Sequence, residues 1–254
     1  MPDRPVALVT GARRGIGRAI AEALASAGFD LAITDLADEA DAAIAALRAH
    51  GAAAAFFQSD LADLAGHAAT VARIVDRFGR IDCLVNNAGM GAVARGDVLD
   101  LLPENFDRVV GVNLRGTIFL TQAVARWMLA HPASDRARAI IHVTSVSAML
   151  ASPERLDYCI SKAGLAMWSK GLALRLAPEG IAVFDVRPGI IRTDMTAGVA
   201  DTYDRKIADG LVPARRWGER QDVARVVAAL ARGEFAFATG SVIDVDGGLG
   251  IPRL

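Results

Sequence analysis

Residues Thr10-Gly11-Ala12-Arg13-Arg14-Gly15-Ile16-Gly17 decide how this chain folds. They end an apolar run, Val6–Thr10, that reads as a strand, and they open an amphipathic pattern over 15–27 that reads as a helix. A strand that turns into a helix through three glycines needs a tight corner, and glycine lacks the Cβ that would obstruct it. The corner also exposes N–H groups at a helix N-terminus, where the helix dipole favours an anion such as a pyrophosphate. The spacing is Gly-x3-Gly-x-Gly, not the Gly-x-Gly-x-x-Gly of the general dinucleotide fingerprint. A glycine-rich turn with no ligand is the bland alternative. Its place directly after the first strand favours a binding corner, with Gly11, Arg14, Gly15, Ile16 and Gly17 as the contacting residues.

Outward from this corner, short apolar runs alternate with longer amphipathic stretches. Strands are expected at Leu31–Asp35, Ala53–Ser59, Asp82–Asn86, Ala139–Ser145, Ile181–Arg187 and Ser241–Val245, and helices over 38–50, 64–78, 104–130, 156–177 and 219–232. Several strands are continuously apolar, as befits strands covered on both faces. The alternation implies right-handed βαβ units. The expected fold is a single α/β domain over 1–254, Rossmann-type and doubly wound, with a seven-stranded, mostly parallel sheet. A (β/α)8 barrel is the rival at this length. It would need eight regular repeats, and the connection 188–240 is too long and irregular to be one. Two stretches read as loops: His131–Arg138, a surface connection, and Thr193–Val212, long and polar enough to serve as a substrate lid.

Composition narrows the function. The 254 residues are 53% hydrophobic and 22% charged with a formal net charge of −1. That balance excludes disorder and leaves no surplus positive charge for nucleic acid. No uncharged apolar run reaches the ~18 residues of a membrane span, and no signal pattern opens the chain, so a cytoplasmic location is expected. Cys83 and Cys159 lack metal or disulfide spacing and the four histidines are dispersed, so no metal site is expected.

The chemistry-bearing residues fall where strands end, the edge at which open α/β sheets bind ligands. Asp35 closes the second strand. It can accept from the adenosine ribose hydroxyls and repel a 2′-phosphate, whereas Arg13 and Arg14 could offer that phosphate a guanidinium. The expectation is NAD(H), with NADP(H) open. Asp60-Leu61 can accept from an adenine amino group, and Asn86-Asn87-Ala88-Gly89 is small enough for Asn87, Ala88 and Gly89 to touch a ribose. Ser145 closes the fifth strand and can hold a substrate oxygen. Tyr158 and Lys162 stand at i and i+4 on one helical face. An ammonium beside a phenol lowers the phenol pKa, and such a tyrosine can exchange a proton as a hydride moves at a carbinol carbon. Tyr-x3-Lys alone arises often by chance on amphipathic helices.

Jointly these pieces, in this order and at these separations, resemble the short-chain dehydrogenase/reductase family from Thr10 to Gly248. The resemblance implies a nicotinamide-dependent enzyme acting on a small alcohol or ketone through Asn113, Ser145, Tyr158 and Lys162. Tyr158 would be the acid/base, and Ser145 would stabilise the substrate oxygen. Lys162 would lower the tyrosine pKa and hold the nicotinamide ribose, while Asn113 would position a water. The resemblance also implies that Pro188, Gly189, the Ile191 backbone N–H and the Thr193 hydroxyl line the nicotinamide and phosphates. Helices 104–130 and 156–177 carry apolar residues on more than one face, including Phe106, Val110, Leu114, Phe119 and Trp127, then Leu165, Met167, Trp168 and Leu172, so both faces must be covered. The resemblance implies a second copy in a homodimer or homotetramer, and burial beneath the chain's own loops is the alternative. The pattern is most similar to the 3-oxoacyl-thioester reductase branch. An NAD-dependent sugar or polyol dehydrogenase and a non-catalytic NAD(P)-binding regulator are the alternatives; an intact Ser145/Tyr158/Lys162 set argues against the regulator.

Overall fold

The computed structural model describes residues 4–132 and 136–253. Its strands are β1 (Val6–Thr10), β2 (Asp30–Asp35), β3 (Ala54–Gln58), β4 (Cys83–Asn86), β5 (Arg138–Val143), β6 (Ile181–Pro188) and β7 (Val242–Val245). They pair side by side in the order β3-β2-β1-β4-β5-β6-β7, and every pairing is parallel. The expected "mostly parallel" sheet is therefore wholly parallel. The cause is local: each connection among the described residues carries at least one helix, and a helical crossover returns the chain in the same direction. The strand order reverses between β1 and β4, and the carboxyl ends on either side of that switch flank a crevice.

The helices are α1 (Gly15–Ser26), α2 (Asp41–Ala49), α3 (Gly66–Phe78), α4 (Pro103–Val110), α5 (Thr117–Ala130), α6 (Leu156–Leu176), α7 (Asp194–Ala197), α8 (Ala200–Ala208) and α9 (Arg220–Ala231). Successive strand residues face opposite layers. Val9, Val85, Ile141 and Phe184 pack with Ile20 and Leu24 of α1 and Val223 and Val227 of α9. Leu8, Leu84, Ile140 and Val183 pack instead with Ile74 of α3, Leu120 and Val124 of α5, and Leu172 and Leu176 of α6. The unbroken apolar runs of the strands thus each feed two cores.

Three expectations change. The helix expected over 104–130 starts at Pro103, where a missing N–H costs nothing, and is interrupted by a π-helical turn, Gly111–Gly116, that contains Asn113. The stretch Thr193–Val212 is not an irregular loop. Thr193 and Thr196 close a capping box on α7, and Ile207 of α8 is buried with Val212 and Trp217 in a small core that Tyr203 joins. Tyr203 and Ile207 share a face at i and i+4, a short period hidden among polar residues. At His131–Arg138, residues 133–135 lie outside the described residues, and Arg138 already belongs to β5. Its guanidinium donates to the Met128 carbonyl at 2.8 Å and the Glu179 carbonyl at 2.9 Å.

Candidate active site

The glycine corner is held from both sides. The Thr10 hydroxyl accepts from the N–H groups of Asn87 (3.1 Å) and Ala88 (3.0 Å). The Asn87 amide donates back to the carbonyls of Thr10 (2.9 Å) and Gly11 (3.2 Å). Asn87 is therefore a strap that fixes the corner to the end of β4. A Cβ on Gly17 would collide with the Gly11 carbonyl and the Asn87 amide, which explains the glycine there. Gly15 adopts φ +62°, and a Cβ added to it would meet nothing within 4 Å. The first turn of α1 carries no side-chain cap and no acidic residue. An uncapped, acid-free helix N-terminus opening onto clear space suits an anionic diphosphate, so the corner fits a dinucleotide.

Around the corner, Asp35 accepts from the Ala37 N–H at 3.2 Å, and its Oδ1 lies 3.8 Å from the Arg13 Nε. Arg14 points elsewhere, to Asp194 at the start of α7, 3.5 Å away. The two arginines thus divide: Arg13 partners the acid at β2, and Arg14 reaches the segment that follows β6. Asp60 is exposed at the carboxyl edge and accepts from the Ala62 N–H at 2.8 Å. Leu61 is buried, and its carbonyl is 3.1 Å from His67 Nε2. Beyond β6, Gly189 donates to the Val245 carbonyl at 3.0 Å. Ile191 bridges to Gly218, and its carbonyl accepts from the Thr196 hydroxyl at 2.9 Å. The Thr193 hydroxyl serves the capping box of α7.

Ser145, Tyr158 and Lys162 converge beside this crevice. The Ser145 hydroxyl lies near enough to the Tyr158 phenol to lower its pKa and accepts from the Ser147 N–H at 3.1 Å. The Lys162 ammonium lies 5.8 Å from the centre of the Tyr158 ring and donates to the Val143 carbonyl at 3.1 Å. Asn113 accepts from the Met90 N–H at 2.8 Å and donates to the Met90 carbonyl at 2.9 Å and the Ser161 hydroxyl at 3.1 Å. Its side chain clamps the chain just after Gly89, and a Cβ on Gly89 would come within 3.1 Å of it and 3.6 Å of the Lys162 ammonium.

Burial dominates the ionisation here. The Lys162 ammonium is pushed down to about 8 by burial, against the pull of Asp185. The Tyr158 phenol is shifted upward by burial, and the Ser145 hydroxyl and the Arg155 guanidinium only oppose that shift. The expected depression of Tyr158 by Lys162 is therefore corrected: desolvation of the phenolate raises the pKa, and the cation that opposes the rise is Arg155. Arg155 lies 5.1 Å from the ring centre and donates to Ser147 at 3.3 Å. Asp185 is the neighbour that sequence reasoning passed over, because no local signal ties a residue inside the sixth strand to Lys162. Among the described residues no group of His, Cys, Asp or Glu is arranged to hold a metal ion, and no helix is long and apolar enough to cross a membrane.

A family model described as enoyl-(acyl carrier protein) reductase matches residues 11–250. A 3-oxoacyl-[acyl-carrier-protein] reductase of Staphylococcus epidermidis is 35% identical over 246 residues, covering 96% of this chain and 98% of that protein. The chain belongs to the short-chain dehydrogenase/reductase family. As a short-chain dehydrogenase/reductase it is a nicotinamide-dependent oxidoreductase acting between C=O and CH–OH. Among solved structures, a 3-oxoacyl-[acyl-carrier protein] reductase of Brucella melitensis in complex with NAD is 61% identical, with a TM-score of 0.98 and 100% of both chains covered. Another, from Agrobacterium tumefaciens with bound NADP and provisionally named a 2-deoxy-d-gluconate 3-dehydrogenase, is 32% identical with a TM-score of 0.86 over 96% of each chain.

Proposed function

We propose that this short-chain dehydrogenase/reductase reduces the ketone of a 3-oxoacyl thioester through Ser145, Tyr158 and Lys162. The observation that carries the reading is the convergence of Ser145 and Lys162 on one phenol, with the Ser145 hydroxyl near enough to lower the Tyr158 pKa and the Lys162 ammonium 5.8 Å from the same ring, beside an uncapped helix N-terminus. The relatives named as 3-oxoacyl reductases support the substrate class.

The bound nicotinamide supplies or accepts the hydride. Gly11, Gly15, Ile16 and Gly17 would receive its phosphates, and Asp60, Leu61, Asn87, Ala88 and Gly89 would border its adenosine and ribose. Pro188, Gly189, Ile191 and Thr193 would border the nicotinamide end. Ser145 donates its hydroxyl hydrogen bond to the substrate oxygen. Tyr158, whose raised pKa keeps it protonated near neutrality, delivers its proton to that oxygen as negative charge develops there. Lys162 then faces the phenolate left behind and stabilises it. Asn113 holds the Met90 backbone, and with it the wall opposite Lys162; both its amide groups are engaged, so a relay water falls to its main chain. The segment from Thr193 to Val212 would close over the substrate.

NAD(H) is the proposed cofactor. Asp35 closes β2 and would accept from the adenosine ribose hydroxyls, and its negative charge would oppose a 2′-phosphate. Arg13 beside it tempers that charge, so NADP(H) is disfavoured rather than excluded. A homo-oligomer is proposed because Phe119, Met167 (66% exposed) and Leu174 (81% exposed) leave apolar area on α5 and α6. The buried free thiols Cys83 and Cys159 suit a reducing, cytoplasmic setting.

The test is a panel of 3-oxoacyl thioesters, sugars, polyols and simple ketones, followed by nicotinamide absorbance. A 3-oxoacyl thioester should give the highest kcat/KM. A sugar or polyol ahead of every thioester contradicts the substrate assignment, and nicotinamide binding with no turnover across the panel contradicts the enzyme reading.

A further inference from the structure

Behind Ser145 and Lys162 lies a polar row that the mechanism above does not use. Asn86, His142 and Asp185 occupy registered positions on the adjacent strands β4, β5 and β6. All three are buried and face the α5/α6 layer, two residues on from Leu84, Ile140 and Val183. Burying a polar row in an apolar layer is costly unless its groups are paired. Here Asn86 donates to the Thr121 hydroxyl at 2.9 Å and contacts His142 Nδ1 at 3.1 Å. Asp185 receives the hydroxyl of Thr144, next to Ser145, and the Arg187 guanidinium at 2.9 Å, with the Arg187 side chain only 11% exposed.

Lys162 anchors directly beside this row. Its ammonium donates to the carbonyl of Val143, one residue beyond His142, whose registered neighbour on β6 is Asp185. Lys162 and His142 are close enough for the ammonium to hold the imidazole down. A buried ammonium loses its hydration and tends to shed its proton unless an anion stands near. The other charged or titratable groups facing Lys162 do not supply one. His142 is neutral, Tyr158 is a phenol, Arg155 and Arg187 are cations, Asp157 is buried at the start of α6 with its carboxylate on the Tyr158 N–H at 2.7 Å, and Glu104, Asp107 and Arg108 of α4 are exposed. Asp244 and Asp246 lie on and just beyond β7, on the far side of β6.

We propose that Asp185 is a positioning residue that keeps Lys162 in its ammonium form, itself locked in place by Thr144 and Arg187. The Thr144 contact also ties the same carboxylate to the corner that presents Ser145, so one buried acid organises both the hydroxyl and the ammonium that flank Tyr158. The inference deepens the role given to Lys162 above and rests on it for its catalytic consequence. It does not rest on it for the charge state itself.

The chain has three lysines, Lys162, Lys170 and Lys206, so selective lysine labelling gives an NMR titration in which Lys162 can be followed alone. In Asp185→Asn the Lys162 midpoint should fall by about one pH unit, the low end of what an opposite charge at short range contributes. Asp185→Glu should largely restore it. The alkaline limb of kcat/KM for ketone reduction should move down with it. If Asp185→Asn is poorly folded because Arg187 is stranded, Arg187→Gln alone, which leaves Asp185 its charge and removes a competing cation, should raise the Lys162 midpoint instead. An unchanged Lys162 midpoint in the folded variants overturns the proposal, even if Tm or kcat falls, since a merely structural ion pair would behave that way. A lowered midpoint with an unmoved alkaline limb upholds Asp185's hold on Lys162 and contradicts instead the catalytic role assigned to Lys162.

Discussion

At the residue scale, the outcome turns on which neighbours long-range folding delivers. Tyr158 and Lys162 were legible because four residues along a helix is one turn, a rule that needs no tertiary structure. Asp185 was not, because it meets Lys162 only after β5 and β6 pair. The two arginines of the glycine corner were legible as charges but not as partners. Arg13, not Arg14, sits beside Asp35, while Arg14 and Asp194 form an exposed pair of a kind worth at most about 1 kcal/mol. Cofactor choice follows from this. Asp35→Ser removes the charge that opposes a 2′-phosphate and leaves Arg13 free to meet one. The ratio of kcat/KM for NAD(H) over NADP(H) should fall by at least about tenfold, since 1.4 kcal/mol is tenfold and charge-assisted hydrogen bonds contribute about 1.5–3 kcal/mol. Steady-state kinetics with both cofactors reads it; an unchanged ratio would remove Asp35 from the ribose site.

At the element scale, the strands and most helices could be read from period alone, because each apolar run serves a face that the final fold covers. Two elements could not. The π-helical turn around Asn113 adds a residue to a continuous helical pattern, and an apolar period does not register that. The helices α7 and α8 are short and mostly solvated, so their capping box and the Tyr203/Ile207 pair were lost among polar residues. The central strand β5 carries its own prediction. His142 is fully buried, and burial first, then the Lys162 ammonium, push its pKa down to about 3. Its unfolded value is near 6.5, so as pH falls the unfolded chain takes up the proton before the folded one does. The stability that a neutral His142 allows is full above pH ~6.5 and is lost toward pH ~3, at up to about 1.4 kcal/mol per pH unit. Thermal melts between pH 7 and 4 should decline less steeply for His142→Asn than for the parent chain, whatever the variant's Tm at pH 7. Equal slopes would place the acid sensitivity at another group, with His67, also shifted downward by burial, next in line.

At the scale of the whole molecule, the fold class was readable almost complete, because one glycine corner, five further strand–helix alternations and a closing strand admit few topologies. The assembly was less so. Trp168, apolar and on α6, looked like an interface residue, yet it packs on the chain's own core. The outward positions are Met167 and Leu174. The protein should therefore elute well above its 26.6 kDa chain mass, and Leu174→Asp should lower the assembled fraction, since burying an unpaired carboxylate at a contact is costly. A parent chain that elutes as a monomer at micromolar concentration would contradict the proposed oligomer.

The whole account depends on proton delivery by Tyr158 during nicotinamide-dependent ketone reduction. The most direct measurement is the kcat of Tyr158→Phe on the best thioester substrate, set beside its affinity for NADH. Binding should stay within about threefold of the parent chain, because the glycine corner proposed to receive the phosphates is untouched. The kcat should fall by ~10²–10⁴-fold, the usual contribution of a general acid/base. A phenylalanine variant that binds NADH and reduces the ketone at near-parent rate would contradict the assignment of Tyr158 as the acid.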